Sequence, residues 1–325
     1  MMEECRNKRV LFVTTKNLDY LRNTQEIDLL KEQSDQVYVI GSNKKSYPAR
    51  LLSVYMRLLF LSMKKFDVVF VGFAPQLIMP LFHFKMKKKY VIIDFFISVY
   101  DTLVFDRKKF KPKSVAAKLV KRLDTKTIQK ADKVISDTKA HGEYFTKEFG
   151  LEPQKLEVLY LKADTRIYYP RENEKPERMQ NRFTVLYFGS VLPLQGLDII
   201  LEAVELLKDA PQFHFIIVGP IQDKYIRPKS SNIEYHVWLS QEELAEYISY
   251  SDLCLAGHFN KTIQKAKRTI PGKAYIYRAM DKPMILGENA ANHELYSEQM
   301  QGIYFVEMGN PNALADKIRT IAGNE

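Results

Sequence analysis

The chain runs twice through the same alternation of strand-length apolar segments and helical segments, with one polar interruption between the two passes. In the first pass the apolar runs are KRVLFVT (Lys8–Thr14), QVYVI (Gln36–Ile40), FDVVFV (Phe66–Val71), YVIIDF (Tyr90–Phe95), ADKVIS (Ala131–Ser136) and LEVLYL (Leu156–Leu161). Short, nearly continuous apolar runs suit strands covered on both faces, and helical stretches between them predict a mostly parallel α/β sheet. The helical stretches are 25–32, 49–65, 76–86, 114–130 and 138–149, the last closed by Gly150. PRENEKPERMQNR (Pro170–Arg182) is charged, carries two prolines and reads as a linker. The second pass has strands at 183–188, 213–218, 232–236, 252–256, 283–286 and 303–306, with helices at 197–208, 240–250, 272–280, 289–299 and 310–321. The expected organisation is a Rossmann-like domain over 1–169, a linker over 170–182 and a second Rossmann-like domain over 183–325, each with about six strands.

Several classes fall away. At 325 residues and 46% hydrophobic, the chain has enough apolar content for large cores. Cys5 and Cys254 stand far apart and match no zinc or redox spacing. The apolar run at Val10–Val13 is too short for a signal peptide, and Arg57 interrupts the longest apolar stretch, so a cytoplasmic protein is expected. VTTKNLDYL after the first strand has no glycine, which argues against an ordinary dinucleotide fold, and the chain has no P-loop pattern. Residues 1–160 hold 30 Lys and Arg against 18 Asp and Glu, whereas 161–325 hold 19 against 21. The positive field therefore belongs to the first half, where it could draw in anionic lipid, nucleic acid or a phosphorylated substrate.

Two segments of the second half could carry chemistry. FGSVLPLQGLDIILEAVELL places Gly189 at a strand end and Gly196 at a helix start, with Ser190 and Gln195 between. Glycines let backbone approach a phosphate, and a helix N-terminus favours an anion. HFNKTIQKAKRTIPGKAYIYRAMDKPMI gathers His258, Lys261, Lys265, Lys267, Arg268, Lys273 and Arg278 around one strand-to-helix junction, enough charge to clamp a diphosphate.

These segments, in this order, resemble the donor domain of the retaining family 4 glycosyltransferases of the GT-B class. VWLSQEELAEYISYSDLCLAG, IPGKAYIYRAMDKPMI, and ADKVISDTKAHGEYFTKEFG followed by LEVLYLKADTRIYYP carry the likeness over 131–325. The resemblance implies two domains facing across a cleft and transfer of a sugar, with retention, from a UDP- or GDP-sugar to a glycan or lipid-linked acceptor. It implies a donor site at Gly189, Ser190, Gln195, Gly196, Arg268, Lys273 and Tyr277. The chain departs from the family pattern at Ser190 and Gln195, where basic residues are usual, at Arg268 and Ile276, where glutamates are usual, and at Asp281, where a glycine is usual. Those departures keep open a non-catalytic subunit that supports a partner glycosyltransferase. No cofactor and no metal are expected, because the chain shows no D-x-D and no His/Cys cluster.

In the first half, VIIDFFISVYDTLVFD sets Asp94 in a strand and Asp101 beyond it, at a rim where it could position an acceptor hydroxyl. Asp101 and His258 are the candidate catalytic residues, and Lys16, Arg22 and Asp94 the candidates for the acceptor or diphosphate side. The stretch 49–65 is apolar apart from a stripe of Arg50, Ser53, Arg57 and Lys64, and HFKMKKKY (83–90) adds four lysines. An interfacial helix at the inner face of an anionic membrane is one reading; a lipid- or nucleic-acid-binding module is a further alternative. Nucleic acid is the less expected partner, since no recognition motif for it is present.

Overall fold

The computed structural model describes residues 2–323. Contacts divide the chain into two compact units, Met1–Leu161 and Lys162–Glu325. The first unit contains, in order, β1 (Arg9–Val13), α1 (Leu21–Gln33), β2 (Gln36–Ile40), α2 (Tyr47–Phe60), β3 (Val68–Val71), α3 (Met79–Met86), β4 (Tyr90–Asp94), α4 (Val115–Gln129), β5 (Lys133–Ser136), α5 (Lys139–Phe149) and β6 (Leu156–Val158). Its sheet is entirely parallel, in the order β2-β1-β3-β4-β5-β6. Helices cover both faces. On one side Val54, Leu58, Phe82, Phe95, Phe145 and Phe149 form a core; on the other Phe12, Ile27, Leu30 and Phe70 do so. β3 (VVFV) is buried at every position, whereas the edge strand β2 alternates, as a strand with one open side must.

The second unit contains β7 (Phe183–Phe188), α6 (Leu197–Glu205), β8 (Phe213–Val218), β9 (Ile233–His236), α7 (Gln241–Tyr250), β10 (Leu253–Gly257), α8 (Gly272–Ala279), β11 (Met284–Gly287), β12 (Ile303–Val306) and α9 (Pro311–Ala322). Its parallel sheet has the order β12-β11-β10-β7-β8-β9, the strand order of a dinucleotide-type Rossmann fold. The order in which strands are added reverses between β7 and β10: the chain builds outward through β8 and β9 on one side of β7, then through β10, β11 and β12 on the other. Ligands of open parallel sheets bind in the crevice beyond the strand carboxyl ends at that point. Side-chain caps fix the helix starts: Ser240 and Glu243 form a reciprocal capping box on α7, and Asn310 accepts from the Ala313 N–H at the start of α9.

Four expectations need revision. The segment read as a linker, 170–182, is fastened to the second unit. Lys175 bonds Asp252 and the Arg182 carbonyl, Asn173 donates to Ser249 Oγ at 2.9 Å, and Arg178 pairs with Glu234 at 2.6 Å. The units accordingly part after Leu161, earlier than composition indicates. The expected helix at 289–299 is a single 3₁₀ turn, Asn292–Glu294. Asn289 Oδ1 accepts from the Asn292 N–H at 2.9 Å, and the Asn292 amide donates to the Gly287 carbonyl at 2.7 Å, so side chains take the bonds a helix would use. The long helix expected at 49–65 stops at Phe60, because the Lys85 ammonium accepts the role of a C-terminal cap and donates to the Leu58, Leu59 and Leu61 carbonyls. Finally, residues 101–106 wind into a π-helical turn where no element was expected.

Candidate functional site

At the switch point of the second unit, the ends of β7 and β10 carry Gly189 and Gly257. Gly257 has φ +86°, and a Cβ there would stand 2.6 Å from Gln195 Oε1 and 3.0 Å from Lys273 Nζ. A Cβ on Gly189 would stand 3.3 Å from the same Nζ. Gly196, at φ +71°, turns the chain into α6 so closely that a Cβ would lie 2.8 Å from the Asn260 amide nitrogen. The glycines therefore leave room for one cation. Lys273, in the first turn of α8, passes its side chain over the Tyr187 ring, with Nζ 4.7 Å from the ring centroid, and donates to Gln195 Oε1.

The electrostatics of that lysine are unusual. It is 6% exposed, and among the described residues no carboxylate pairs with it. Burial pushes its ammonium down from the ordinary 10.5 to about 7. An ammonium has three protons to donate, and among the described residues a neutral amide is its only side-chain hydrogen-bond acceptor. The N-terminus of α8, opened by Pro271, adds the positive end of a helix dipole beside it. The group is held where an incoming anion would recover the charge that burial disfavours.

The neighbours divide into those around this cradle and those beneath it. His258 follows Gly257 in the left-handed region (φ 59°) and is buried. Its Nδ1 donates to the Thr269 carbonyl at 2.9 Å, which sets the ring tautomer. Ser190 is exposed just past β7, and Arg268 is half-buried at the end of the 264–267 turn. Tyr277 does not line an opening. It is completely buried, edge-on to Phe188 at 5.6 Å with its hydroxyl 3.5 Å from the Leu255 carbonyl, and it supports the floor instead of facing a ligand. Ile276, at the position of an expected glutamate, is half-buried.

In the first unit the switch point lies between β1 and β3. Lys16, half-buried just beyond β1, holds Nζ between the rings of Tyr20 (5.4 Å) and Phe73 (5.3 Å). Arg22 is not a surface charge reaching for substrate. It is 3% exposed and forks onto Asp94 at the end of β4, at 2.9 and 3.2 Å, while also donating to the Leu159 carbonyl. Glu26, which sequence reasoning missed, completes the group 3.2 Å from Arg22 Nε. Burial, and then the neighbouring Asp94, push the Glu26 carboxyl well above the usual range. Its stabilising contribution is full below the ordinary carboxyl pKa and fades as pH rises toward the folded value. Glu26→Gln should therefore flatten the decline of Tm between pH 5 and 8 and raise Tm at pH 8 by about 2–4 °C, roughly 1 kcal/mol in a unit of this size, by calorimetry. A fall in Tm at pH 8 would show that the carboxyl is ionised.

Asp101 also departs from expectation. It is 2% exposed at the start of the π-helical turn, with its N–H on Ser98 Oγ at 2.9 Å, and so is not on an open rim. Asp101 and His258 belong to different units.

Comparison with known proteins agrees with this architecture. Residues 182–324 match the family described as glycosyl transferases group 1. The second unit is thus similar to the group 1 glycosyltransferases over nearly its whole length. The chain is 25% identical over 266 residues to the probable glycosyltransferase WbjE of Pseudomonas aeruginosa, an alignment covering 75% of this chain and 64% of that relative. Among solved structures it is similar to sucrose-phosphate synthase of Thermosynechococcus elongatus, with a TM-score of 0.68 and 12% identity over 98% of this chain and 90% of that one. It is also similar to Anabaena Alr3699/HepE in complex with UDP and glucose, with a TM-score of 0.60 and 13% identity over 97% and 90% of the two chains. The fold is thus the GT-B one, two Rossmann-like units in series. The matched residues take in β7 through α9 and hence the whole cradle around Lys273.

Proposed function

We propose that the chain transfers a sugar from a nucleoside-diphosphate donor to a glycan or lipid-linked acceptor, with retention at the anomeric carbon. The observation that carries the reading is Lys273, a buried ammonium with no carboxylate partner among the described residues, between the glycine-bearing ends of β7 and β10. A diphosphate seated there meets the ammonium, the N-terminus of α8 and the close backbone of Gly189 and Gly257. UDP is the favoured carrier, because the similar Anabaena structure holds UDP and glucose.

The chemistry follows from charge. The bond from the anomeric carbon to the phosphate oxygen breaks, leaving positive charge on the sugar and negative charge on the diphosphate, and the acceptor oxygen forms its bond on the same face. The acceptor proton passes to the departing phosphate oxygen. Lys273 meets the developing negative charge, an interaction stronger in the transition state than in the ground state. Gln195 holds Nζ in place, and His258, fixed by Thr269, is assigned to the sugar side. Ser190 and Arg268 are assigned to the outer edge of the donor. In the first unit, Lys16 is assigned to the acceptor, whereas Arg22 and Asp94 hold the sheet end with Glu26. A lipid-linked acceptor would bring the first unit to the inner face of a membrane.

A second reading, a non-catalytic subunit supporting a partner transferase, is motivated by Arg268 and Ile276 where the resemblance calls for carboxylates. Calorimetric titration of the folded chain with UDP, GDP and their glucose conjugates separates the two. Binding of one nucleotide series with Kd in the micromolar range is expected, together with hydrolysis or transfer on adding acceptor. Failure of every nucleotide to bind would overturn the donor site, and binding without turnover would favour the subunit reading.

A further inference from the structure

α2 has two apolar faces, and the sheet can cover only one. Val54 and Leu58 are buried against the first unit's core. Leu52, Met56, Leu59 and Phe60 recur at spacings of four, three and one, so they share the opposite stripe, and they are 61%, 45%, 50% and 79% exposed. α3 adds Leu81 and Phe84, 54% and 64% exposed. Isolated exposed apolar residues are normal; six on two helices joined by the Lys85 cap are not.

The surroundings are cationic. A groove of about 470 Å³ runs between Leu61–Lys64 and Phe84–Lys89, and its lining includes Lys64, Lys87, Lys88 and Lys89 but no acidic residue. Lys64, Lys65, Lys87 and Lys88 are exposed. By contrast, two members of the basic stripe that sequence alone assigns to headgroups, Arg50 and Arg57, are bonded to the protein's own backbone. Arg50 is buried and donates to the Thr15 and Lys44 carbonyls at 3.2 and 3.1 Å, and Arg57 donates to the Gly41 and Val39 carbonyls at 2.9 and 3.1 Å. The surface left over combines Phe, Leu and Met with flexible lysines, the pattern of a helix lying in a lipid interface. No helix among the described residues is long and apolar enough to cross a membrane.

We propose that this α2–α3 surface docks on an anionic lipid bilayer, with Leu52, Met56, Leu59, Phe60, Leu81 and Phe84 entering the acyl boundary and Lys64, Lys65, Lys87 and Lys88 meeting the headgroup phosphates. Charge complementarity selects the bilayer: a continuous anionic plane satisfies all four lysines at once. The inference is independent of the donor site, because none of these residues belongs to the second unit.

Flotation of the full chain with vesicles of phosphatidylcholine alone and of phosphatidylcholine with 30% phosphatidylglycerol tests it. Binding at least about tenfold tighter to the anionic vesicles is expected, weakening with added salt. Leu59→Ser/Phe60→Ser should lower binding about tenfold or more without changing the circular dichroism spectrum or nucleotide affinity. Lys87→Gln/Lys88→Gln should reduce the preference for the anionic vesicles. The proposal is overturned if the chain floats with neither vesicle at low salt, or if the serine variant floats unchanged. It is equally overturned if the same serine substitutions abolish a concentration-dependent dimer in ultracentrifugation, which would assign the face to a second copy.

Discussion

Lys273→Met should yield a more stable protein that no longer binds the donor. With the ammonium pushed down to about 7, burial penalises folding at neutral pH. At about 1.4 kcal/mol per pKa unit the gross relief at pH 7 is about 4 kcal/mol. Losing the bond to Gln195 and imperfect packing of the thioether over Tyr187 take part of that back. A net gain of about 2 kcal/mol, or roughly 4–8 °C in Tm, is expected. The sign also has a pH signature. Between about 7 and 10.5 the unfolded chain holds the lysine proton that the folded chain has released, so wild-type stability rises with pH over that range. The methionine variant should lack this slope. In calorimetric titration its affinity for UDP should fall at least about 100-fold, the scale of a charge-assisted contact in a dry site. Retention of UDP affinity would remove Lys273 from the site; a lower Tm would show that the lysine is a structural asset.

The largest loss of stability is expected at Asp124, in α4. Its carboxylate is entirely buried and accepts from Ser98 Oγ at 2.7 Å, the Tyr100 N–H at 2.8 Å, the Gln76 amide at 2.9 Å and the Val99 N–H at 3.3 Å. These donors anchor the chain from β4 into the π-helical turn that carries Asp101. Asp124→Ala leaves several of them in a dry cavity, at a cost of about 3–4 kcal/mol, or roughly 10 °C in Tm. Hydrogen exchange should rise first over 98–106. A drop in Tm of less than about 2 °C would show that the turn is held by other contacts.

What the amino-acid order makes visible is the skeleton. Buried parallel strands must be apolar on both faces, so the inner strands stand out as nearly continuous apolar runs, and the cationic Pro271-Gly272-Lys273 turn is visible as a junction. What it hides is pairing in space. Gln195 reads only as a missing basic residue; folded, its carbonyl oxygen holds the lysine from α8. Glu26 sits in the polar stretch LRNTQEIDLLKEQ. Its sole signal is that Arg22, Glu26 and Leu30 recur every four residues, a spacing that puts charges on a face that leucine also occupies. Tyr277 and Asp101 carry groups suited to binding, yet burial depends on which helix face meets the sheet. The apolar residues of 49–65 announce an unusual helix, but which basic residues turn inward is settled by the backbone carbonyls of neighbouring segments.

The strand order of the second unit also governs when its cradle can come into being. β7 gains its neighbour β10 only after β8, β9 and α7 have been synthesised, so a chain emerging from the ribosome carries an unfinished sheet with one bare hydrogen-bonding margin. Until β10 slots in, Lys273 has no enclosure, and its ammonium remains hydrated. Desolvation of that charge therefore follows the pairing of β10 with β7.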